Sequence, residues 1–287
     1  LNGEHVNDAV YNRNIKVADK LGINISENLV GYNDVTTTMN TEIASNTDTY
    51  ACFWNESKFV APFAMKGSLV NVNGIDALNL EKPWWNSGAM NDVEVKDNLY
   101  FLVGDLHLMF KESYWIVGFN KSIMDQNNLG DTYELVREGK WTFDKYGELG
   151  SIATVDLNGD GAFDAEDQYG MLGAAKYMQC SLVQAAGVMY VSKDENNYPV
   201  YDMATNEKFI SVFEKIFSIC NDSGAWYRTN EDANEAPIYH QMFRENKGLF
   251  LTTMFFLVES LRDMESDFGI VPFPKYDEAQ GEYITRV

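Results

Sequence analysis

Asp156-Leu-Asn-Gly-Asp-Gly-Ala-Phe-Asp-Ala-Glu-Asp167 stands between a helix that Thr142 can cap from Phe143 and a strand start at Tyr169-Gly170-Met171-Leu172. Oxygen-bearing side chains fall at positions 1, 3, 5, 9 and 12 of this twelve-residue loop, on Asp156, Asn158, Asp160, Asp164 and Asp167. Gly161 is at position 6, where a calcium loop bends most sharply, and Ala162 at position 7 offers its backbone carbonyl. Ca²⁺ is a hard cation that collects about six to eight oxygens in a flexible cage. The spacing therefore predicts a structural Ca²⁺ held by Asp156, Asn158, Asp160, Ala162, Asp164 and Asp167. Asp167 is one methylene shorter than the usual closing Glu, so bidentate closure is the weak point. The competing reading is a solvated acidic turn, with Asn158-Gly159 and Asp160-Gly161 as turn dipeptides. No second copy of the loop occurs, so a pair of sensor loops is not expected. A helix entering the loop and a strand leaving it form a connection of an α/β protein.

Outward from the loop, the same alternation continues. Residues 4–20 carry Val6, Val10 and Val17 near helical spacing, with Gly22 as a stop. Val35, Met39 and Ile43 share one face of a helix around 36–45. Ile23–Ile25, Tyr50–Trp54, Leu99–Val103 and Tyr114–Phe119 are expected strands. Asn120 caps a helix over 121–128, and Asp131-Thr-Tyr-Glu134 has capping-box spacing for a helix ending near Gly139. A helix over 179–186 ends at Gly187. Phe209, Val212, Phe213, Ile216, Phe217 and Cys220 mark the clearest amphipathic helix, whose aromatic stripe is expected in the core. A helix from Ile238 to Asn246 precedes a strand over Leu249–Phe256. Phe268–Phe273 is a short strand that Pro272 and Pro274 push to an edge or end. Strand alternating with helix predicts an open α/β sheet, with ligands beyond the carboxyl ends of its strands.

Composition narrows the partners. The chain has 287 residues and a net charge of −21, from 43 acids against 22 bases. A phosphate backbone or an anionic membrane surface is repelled, so nucleic acid is not an expected partner. No apolar run approaches the roughly 18 residues of a membrane span. Cys52, Cys180 and Cys220 form no CxxC and no zinc spacing, and read as buried free thiols or one disulfide. His5, His107 and His240 are isolated and read as structural or surface residues. Aromatics reach 14% beside abundant Asp and Asn. That mixture suits a neutral polyhydroxylated ligand, because ring faces stack on sugar C–H faces while carboxylates and amides bond its hydroxyls. Trp54, Trp84, Trp85 and Trp226 are aromatic cleft candidates, Tyr227 lies beside the last, and Asp105 is a candidate hydroxyl acceptor. The bland alternatives are a loop plug for Trp84 and Trp85, an ordinary turn for Asp105 and a helix-end staple for Trp226.

Several motifs recur together and in order. They are Gly3-Glu-His-Val-Asn-Asp-Ala-Val-Tyr-Asn-Arg-Asn14, Lys82-Pro-Trp-Trp-Asn86, Phe119-Asn-Lys121, Tyr133-Glu-Leu-Val-Arg-Glu-Gly-Lys-Trp-Thr-Phe-Asp144, the acidic loop with Gln168-Tyr-Gly170, Leu261-Arg-Asp-Met264, and Asp267-Phe-Gly-Ile-Val-Pro-Phe-Pro-Lys-Tyr276. This set resembles the extracellular solute-binding proteins, family 1, the substrate-binding lipoproteins of carbohydrate ABC importers. The resemblance implies a type II periplasmic-binding-protein-like α/β fold with two lobes, each a mixed open sheet flanked by helices. It implies a first lobe of residues 1–114 plus 266–287 and a second of 115–265 carrying the calcium loop, with chain incomplete at both termini. It also places a stacking aromatic at Phe255 or Phe256.

The resemblance further implies hinge closure on a mono- or oligosaccharide between the lobes, ABC permease subunits as partners and a monomer. The expected location is extracellular, lipid-anchored on a Gram-positive surface, or periplasmic in a Gram-negative cell. No catalysis is expected. The alternatives are a calcium-dependent carbohydrate-active enzyme, for which Asp105, Glu112 and Glu56 would be the carboxylates, and a sugar-sensing ectodomain.

Overall fold

The computed structural model describes residues 5–229 and 238–286. Contacts divide the chain into two compact units with the boundary between Asn71 and Val72. The first unit holds helices α1 (His5–Leu21), α2 (Val35–Ser45) and α3 (Ser57–Met65). Gly22 at φ +66° ends α1, a conformation L side chains adopt rarely. Met39 of α2 and Phe63 of α3 are its buried anchors. The strands expected over Ile23–Ile25 and Tyr50–Trp54 are absent. Alternation supplies a face, but a strand exists only through a ladder partner for its backbone groups. Instead, the Ile23 amide donates to the Ala18 carbonyl at 3.1 Å, and the Tyr50 hydroxyl accepts from Asn28 Nδ2 at 2.7 Å. The described residues of this unit therefore contain no sheet.

The second unit starts with α4 (Ser87–Val93) and α5 (Leu108–Glu112), then β1 (Trp115–Asn120), α6 (Lys121–Gln126), α7 (Thr132–Arg137) and α8 (Phe143–Ala153). After the acidic loop come β2 (Tyr169–Ala174), α9 (Ala175–Ala185), a two-stranded ribbon of β3 (Ser192–Lys193) and β4 (Pro199–Val200), and α10 (Glu207–Phe217). β5 (Trp226–Thr229), α11 (Ile238–Arg244), β6 (Gly248–Met254) and β7 (Phe268–Val271) complete it. Five strands form one mixed sheet in the order β5-β2-β6-β1-β7. β2 is parallel to β5 and β6, whereas β1 is antiparallel to β6 and β7. β6 is central and apolar throughout its middle, as a strand covered on both faces must be. Alternation assigns its neighbours. Phe250 and Met171 join the core beneath α8, α9 and α10, and Leu251 and Leu172 join the core beneath α11.

Helix starts follow the caps. Asn120 Oδ1 accepts from the Ile123 amide at 3.1 Å, Asp131 Oδ1 from Tyr133 at 2.8 Å, and Thr142 Oγ1 from Lys145 at 3.3 Å. The box at Asp131 is only half made, because Glu134 turns outward to Arg137 at 3.4 Å. α8 and β2 approach backbone to backbone: a Cβ on Gly170 would overlap the main chain of Gly150. Gln168-Tyr-Gly170 thus carries a packing requirement in its last residue.

Three expectations change. The strand expected over Leu99–Val103 is absent, and only isolated bridges flank it, Val95 with Asn98 and Trp85 with Gly104. Its partner segment contains Pro83, which lacks an N–H for a longer ladder. Phe268–Val271 pairs along the outer edge of β1. In α10, Val212, Ile216 and Cys220 are buried, but Phe213 and Phe217 are 46% and 49% exposed. The apolar arc of α10 is wider than the groove that receives it, so its far edge stays in solvent. Cys52 is exposed and Cys180 half-buried, and all three cysteines are free; burial pushes the Cys220 thiol up to about 12.

Candidate functional site

The parallel strands β5, β2 and β6 end at Thr229, Ala174 and Met254, and this carboxyl edge is where an open α/β sheet leaves room for a ligand. β1 is antiparallel, so its first residue, Trp115, lies at the same edge, opposite Met254. The chain leaves β6 in a tight helical turn over Phe255–Leu261. Phe255 and Phe256 open that turn at 48% and 39% exposure, while Leu257 and Leu261 point inward. The Phe255 amide donates to the Tyr114 carbonyl at 2.8 Å, which fixes the turn against the start of β1.

Beneath this turn lies His240 of α11, buried to 1% exposure. Its Nε2 is 2.9 Å from Thr253 Oγ1 and its Nδ1 is 2.9 Å from Ser260 Oγ. Ser260 Oγ spends its single proton on the Leu257 carbonyl at 2.7 Å, so it accepts from His240 Nδ1–H. Nε2 then accepts from Thr253. Arg244 Nη1 donates to the Ser260 carbonyl at 3.1 Å. Burial, and then the Arg244 charge, lower the His240 pKa to about 4, which keeps the ring neutral. One imidazole therefore clasps the end of β6 to the turn that presents the two phenylalanines.

Trp115 stacks on Tyr177 of α9 at 4.9 Å and 28°. The Arg286 guanidinium lies over both rings, 5.3 Å from Trp115 and 5.6 Å from Tyr177. The Trp115 amide donates to the Arg286 carbonyl at 2.9 Å, and Thr285 Oγ1 donates to the Trp115 carbonyl. None of Trp115, Tyr177 or Arg286 is apparent as a site residue in the sequence. Trp115 reads as strand core, and the helix carrying Tyr177 begins at Ala175 rather than near 179. An earlier helix start would have put Lys176 and Tyr177 directly after a strand end.

The remaining candidates separate. Trp84, Trp85 and Asp105 are brought together, since the Asp105 amide donates to the Trp84 carbonyl at 2.8 Å. Trp85 is a half-buried plug whose Nε1 donates to the Leu78 carbonyl at 2.8 Å, whereas Trp84 is exposed. Asp105 pairs with Lys111 at 2.8 Å. Trp226 is a core residue of β5 at 6% exposure, with Nε1 donating to the Gly173 carbonyl at 3.2 Å, so it does not line an open surface. Trp54 is exposed and belongs to the first unit. Glu56 accepts from the Tyr32 hydroxyl at 2.6 Å and pairs with Lys58 at 2.8 Å. Partial burial works to raise its pKa, but bonds from Lys58 and Tyr32 outweigh it and leave it lowered, the opposite of what a general acid needs.

The acidic loop is closed at its neck by the antiparallel bridge of Val155 and Gln168. Gly159 and Gly161 take φ +73° and +82°, which lets the chain double back. Asp156 accepts from the Gly159 and Gly161 amides at 2.6 and 2.9 Å. Asn158, Asp160 and Asp164 each accept from the amide two residues on, at 2.9, 2.8 and 2.8 Å. Asp167 is fully buried and spans the loop, accepting from Leu157 through Oδ1 and from Asp164 through Oδ2, both at 2.9 Å. These backbone donors, Asp164 first, hold its carboxyl below the usual range. Among the described residues no three His, Cys, Asp or Glu side chains are set as a metal cage. The donor set still fits a hard cation. Asp160 and Asp164 each keep one carboxylate oxygen outside these turns, and oxygen is the only donor type the loop offers.

The chain is similar in fold to a family 1 extracellular solute-binding protein from Bifidobacterium longum subsp. infantis (TM-score 0.52, 13% identity, 84% of this chain and 56% of that one). UspC of M. tuberculosis is similar at TM-score 0.65 and 16% identity, over 97% of this chain and 68% of that one. The ABC substrate-binding protein Lmo0181 from Listeria monocytogenes, in complex with cycloalternan, is similar at 0.58 and 14%, over 95% and 64%. A cyclo/maltodextrin-binding protein complexed with maltotetraose is similar at 0.64 and 11%, over 97% and 64%. The chain thus spans about two thirds of the length of these last three proteins. No protein-family model and no curated protein matches the chain.

Proposed function

We propose that this chain is the ligand-binding component of a carbohydrate ABC importer, taking up a mono- or oligosaccharide without chemistry. The observation that carries the reading is the exposed pair Phe255–Phe256 at the carboxyl end of β6, braced from below by His240. Flat apolar rings held on a rigid turn present stacking faces for sugar C–H groups. Structural neighbours crystallised with cycloalternan, maltotetraose and maltotriose support the ligand class. Delivery requires ABC permease subunits as partners and an extracellular or periplasmic location. Among the described residues no helix is long and apolar enough to cross a membrane.

The acidic loop joins this reading as a structural Ca²⁺ site. Asp156, Asn158, Asp160, Asp164, Asp167 and the Ala162 carbonyl would hold the ion, which would supply positive charge to a cluster of carboxylates. Thermal-shift measurements on the full chain against a panel of mono- and oligosaccharides test the main reading. A saccharide that raises Tm identifies the ligand, and Phe255→Ala with Phe256→Ala should weaken its binding. Unchanged affinity in that double variant removes the turn from the site. Trp226→Ala should instead lower stability by about 3–5 kcal/mol, read in urea, because it empties a core position.

A further inference from the structure

Asn158-Gly159 reads in sequence as a turn dipeptide, and its hydrogen bonds arrange it for a reaction as well as a turn. The Gly159 amide donates to Asp156 Oδ1 at 2.6 Å. The Asn158 carboxamide oxygen accepts from the Asp160 amide at 2.9 Å. A carboxamide bonded to the amide two residues on is folded over the amide between them, here the Gly159 N–H. Gly159 has φ +73°, and no atom lies within 4 Å of where a Cβ would stand, so its nitrogen is uncrowded. Asn158 is exposed to water.

We propose that Asn158 is a site of self-modification, where the Gly159 amide nitrogen attacks the Asn158 carboxamide carbon and water completes a deamidation. The new N–Cγ bond closes a five-membered ring. Asp156 takes the Gly159 proton as general base, and the Asp160 amide stabilises the oxyanion that forms on Asn158 Oδ1. The Cγ–Nδ2 bond then breaks, the proton passes to the departing nitrogen, and ammonia leaves a succinimide. Water opens this ring at either carbonyl. Cleavage of the N–Cγ bond gives aspartate, and cleavage of the main-chain N–C bond gives isoaspartate. No oxidant or reductant takes part.

A second Asn-Gly pair supplies the contrast. The sequence holds three, at Asn2, Asn73 and Asn158, and the first lies outside the described residues. Asn73 Nδ2 donates to Glu94 Oε1 and to the Asp97 carbonyl, both at 2.8 Å, so its leaving amide is tied down. Asn73 and Gly74 also belong to a 3-10 turn over Val72–Gly74. At position 158 either product adds a negative charge to the acidic loop. The aspartate product keeps the donor spacing of the loop. The isoaspartate product inserts a methylene into the main chain between Asp156 and Asp160 and shifts that spacing. This chemistry is independent of saccharide binding.

The test is peptide mapping by mass spectrometry of the full chain during incubation at neutral pH in metal-free buffer, scoring aspartate and isoaspartate at positions 73 and 158. In the folded chain position 158 should convert about 10-fold or more faster than position 73, because a base and an oxyanion donor are placed there while the Asn73 amide is held. In urea the two positions should convert at similar rates, since the dipeptide alone then acts. Asp156→Asn keeps an acceptor for the Gly159 amide but removes the base, and should slow position 158 about 10-fold or more while leaving position 73 unchanged. Should that variant disturb the loop, the comparison of folded and urea-unfolded chain still decides. Equal rates at the two positions in the folded chain, or conversion at 158 to aspartate with no isoaspartate, overturns the proposal, as does an intact Asp156→Asn loop that converts at the unaltered rate.

Discussion

His240 shows how much one side chain governs at this edge. Unfolded, its imidazole titrates near 6.5; folded, burial and Arg244 take it to about 4. Between those values the unfolded chain binds a proton that the folded chain does not, so stability falls as pH drops through that window. The loss reaches about 3 kcal/mol once pH is below the folded value. Urea denaturation at pH 7, 5.5 and 4 measures it, and His240→Gln, which keeps donor and acceptor atoms without the titration, should flatten the profile between 6.5 and 4. An unchanged profile in that variant would assign the acid sensitivity elsewhere. Asp167 acts in the same sense at lower pH: its folded pKa is lowered, so its contribution is present above the ordinary aspartate value of 3.8 and is lost as pH falls through the lower folded value. The two windows do not overlap, which lets the histidine be read separately. The identity of His240 as a structural residue was legible from its isolation in sequence. Its role was not, because Thr253 and Ser260 become its partners only when β6 and the following turn pack on α11.

At the scale of elements, helices were more legible than strands for a physical reason. A helix start is local: Asn120, Thr142 and Asp131 each meet an amide two or three residues away, so the cap and its consequence lie in one stretch. A strand depends on a partner that may be distant in sequence. Tyr114–Phe119 found β6 and β7, whereas Tyr50–Trp54 has the same apolar character and no ladder. Burial of aromatics was similarly underdetermined. Trp226 sits in the core and Phe213 does not, although spacing favours the reverse. The Gly150–Gly170 contact is another feature that only packing reveals. Gly170→Ala would drive a methyl into the Gly150 backbone, which cannot yield as a flexible side chain can. The variant should lose about 3 kcal/mol or more in urea denaturation, at the upper end of overpacking costs. Asn158→Ala, on the exposed loop between the same two elements, should cost much less in metal-free buffer.

For the molecule as a whole, charge sets the largest lever. With 43 acids against 22 bases the folded chain repels itself, and its exposed ion pairs each contribute little. Raising NaCl from about 10 mM to 150 mM shortens the Debye length from about 30 Å to 8 Å, so Tm should rise with salt alone. The acidic loop provides a way to divide that general effect from a specific one. At constant ionic strength Ca²⁺ should raise Tm further, while Mg²⁺, which demands tighter octahedral geometry, should do much less. Asp160→Ala deletes a central donor without touching the amides that Asp167 holds, so it should abolish the Ca²⁺ increment and preserve the NaCl increment. Chelation should lower Tm without abolishing saccharide binding, because the Phe255–Phe256 turn follows the carboxyl end of β6 whereas the loop is joined to its amino end through Lys247 and Glu166 at 3.0 Å. Equal responses to Ca²⁺ and Mg²⁺ in the unaltered chain and in Asp160→Ala would make the loop an ordinary acidic turn stabilised by screening. Loss of saccharide affinity on chelation at unchanged Tm would instead tie the metal to the ligand and overturn the separation of the two sites.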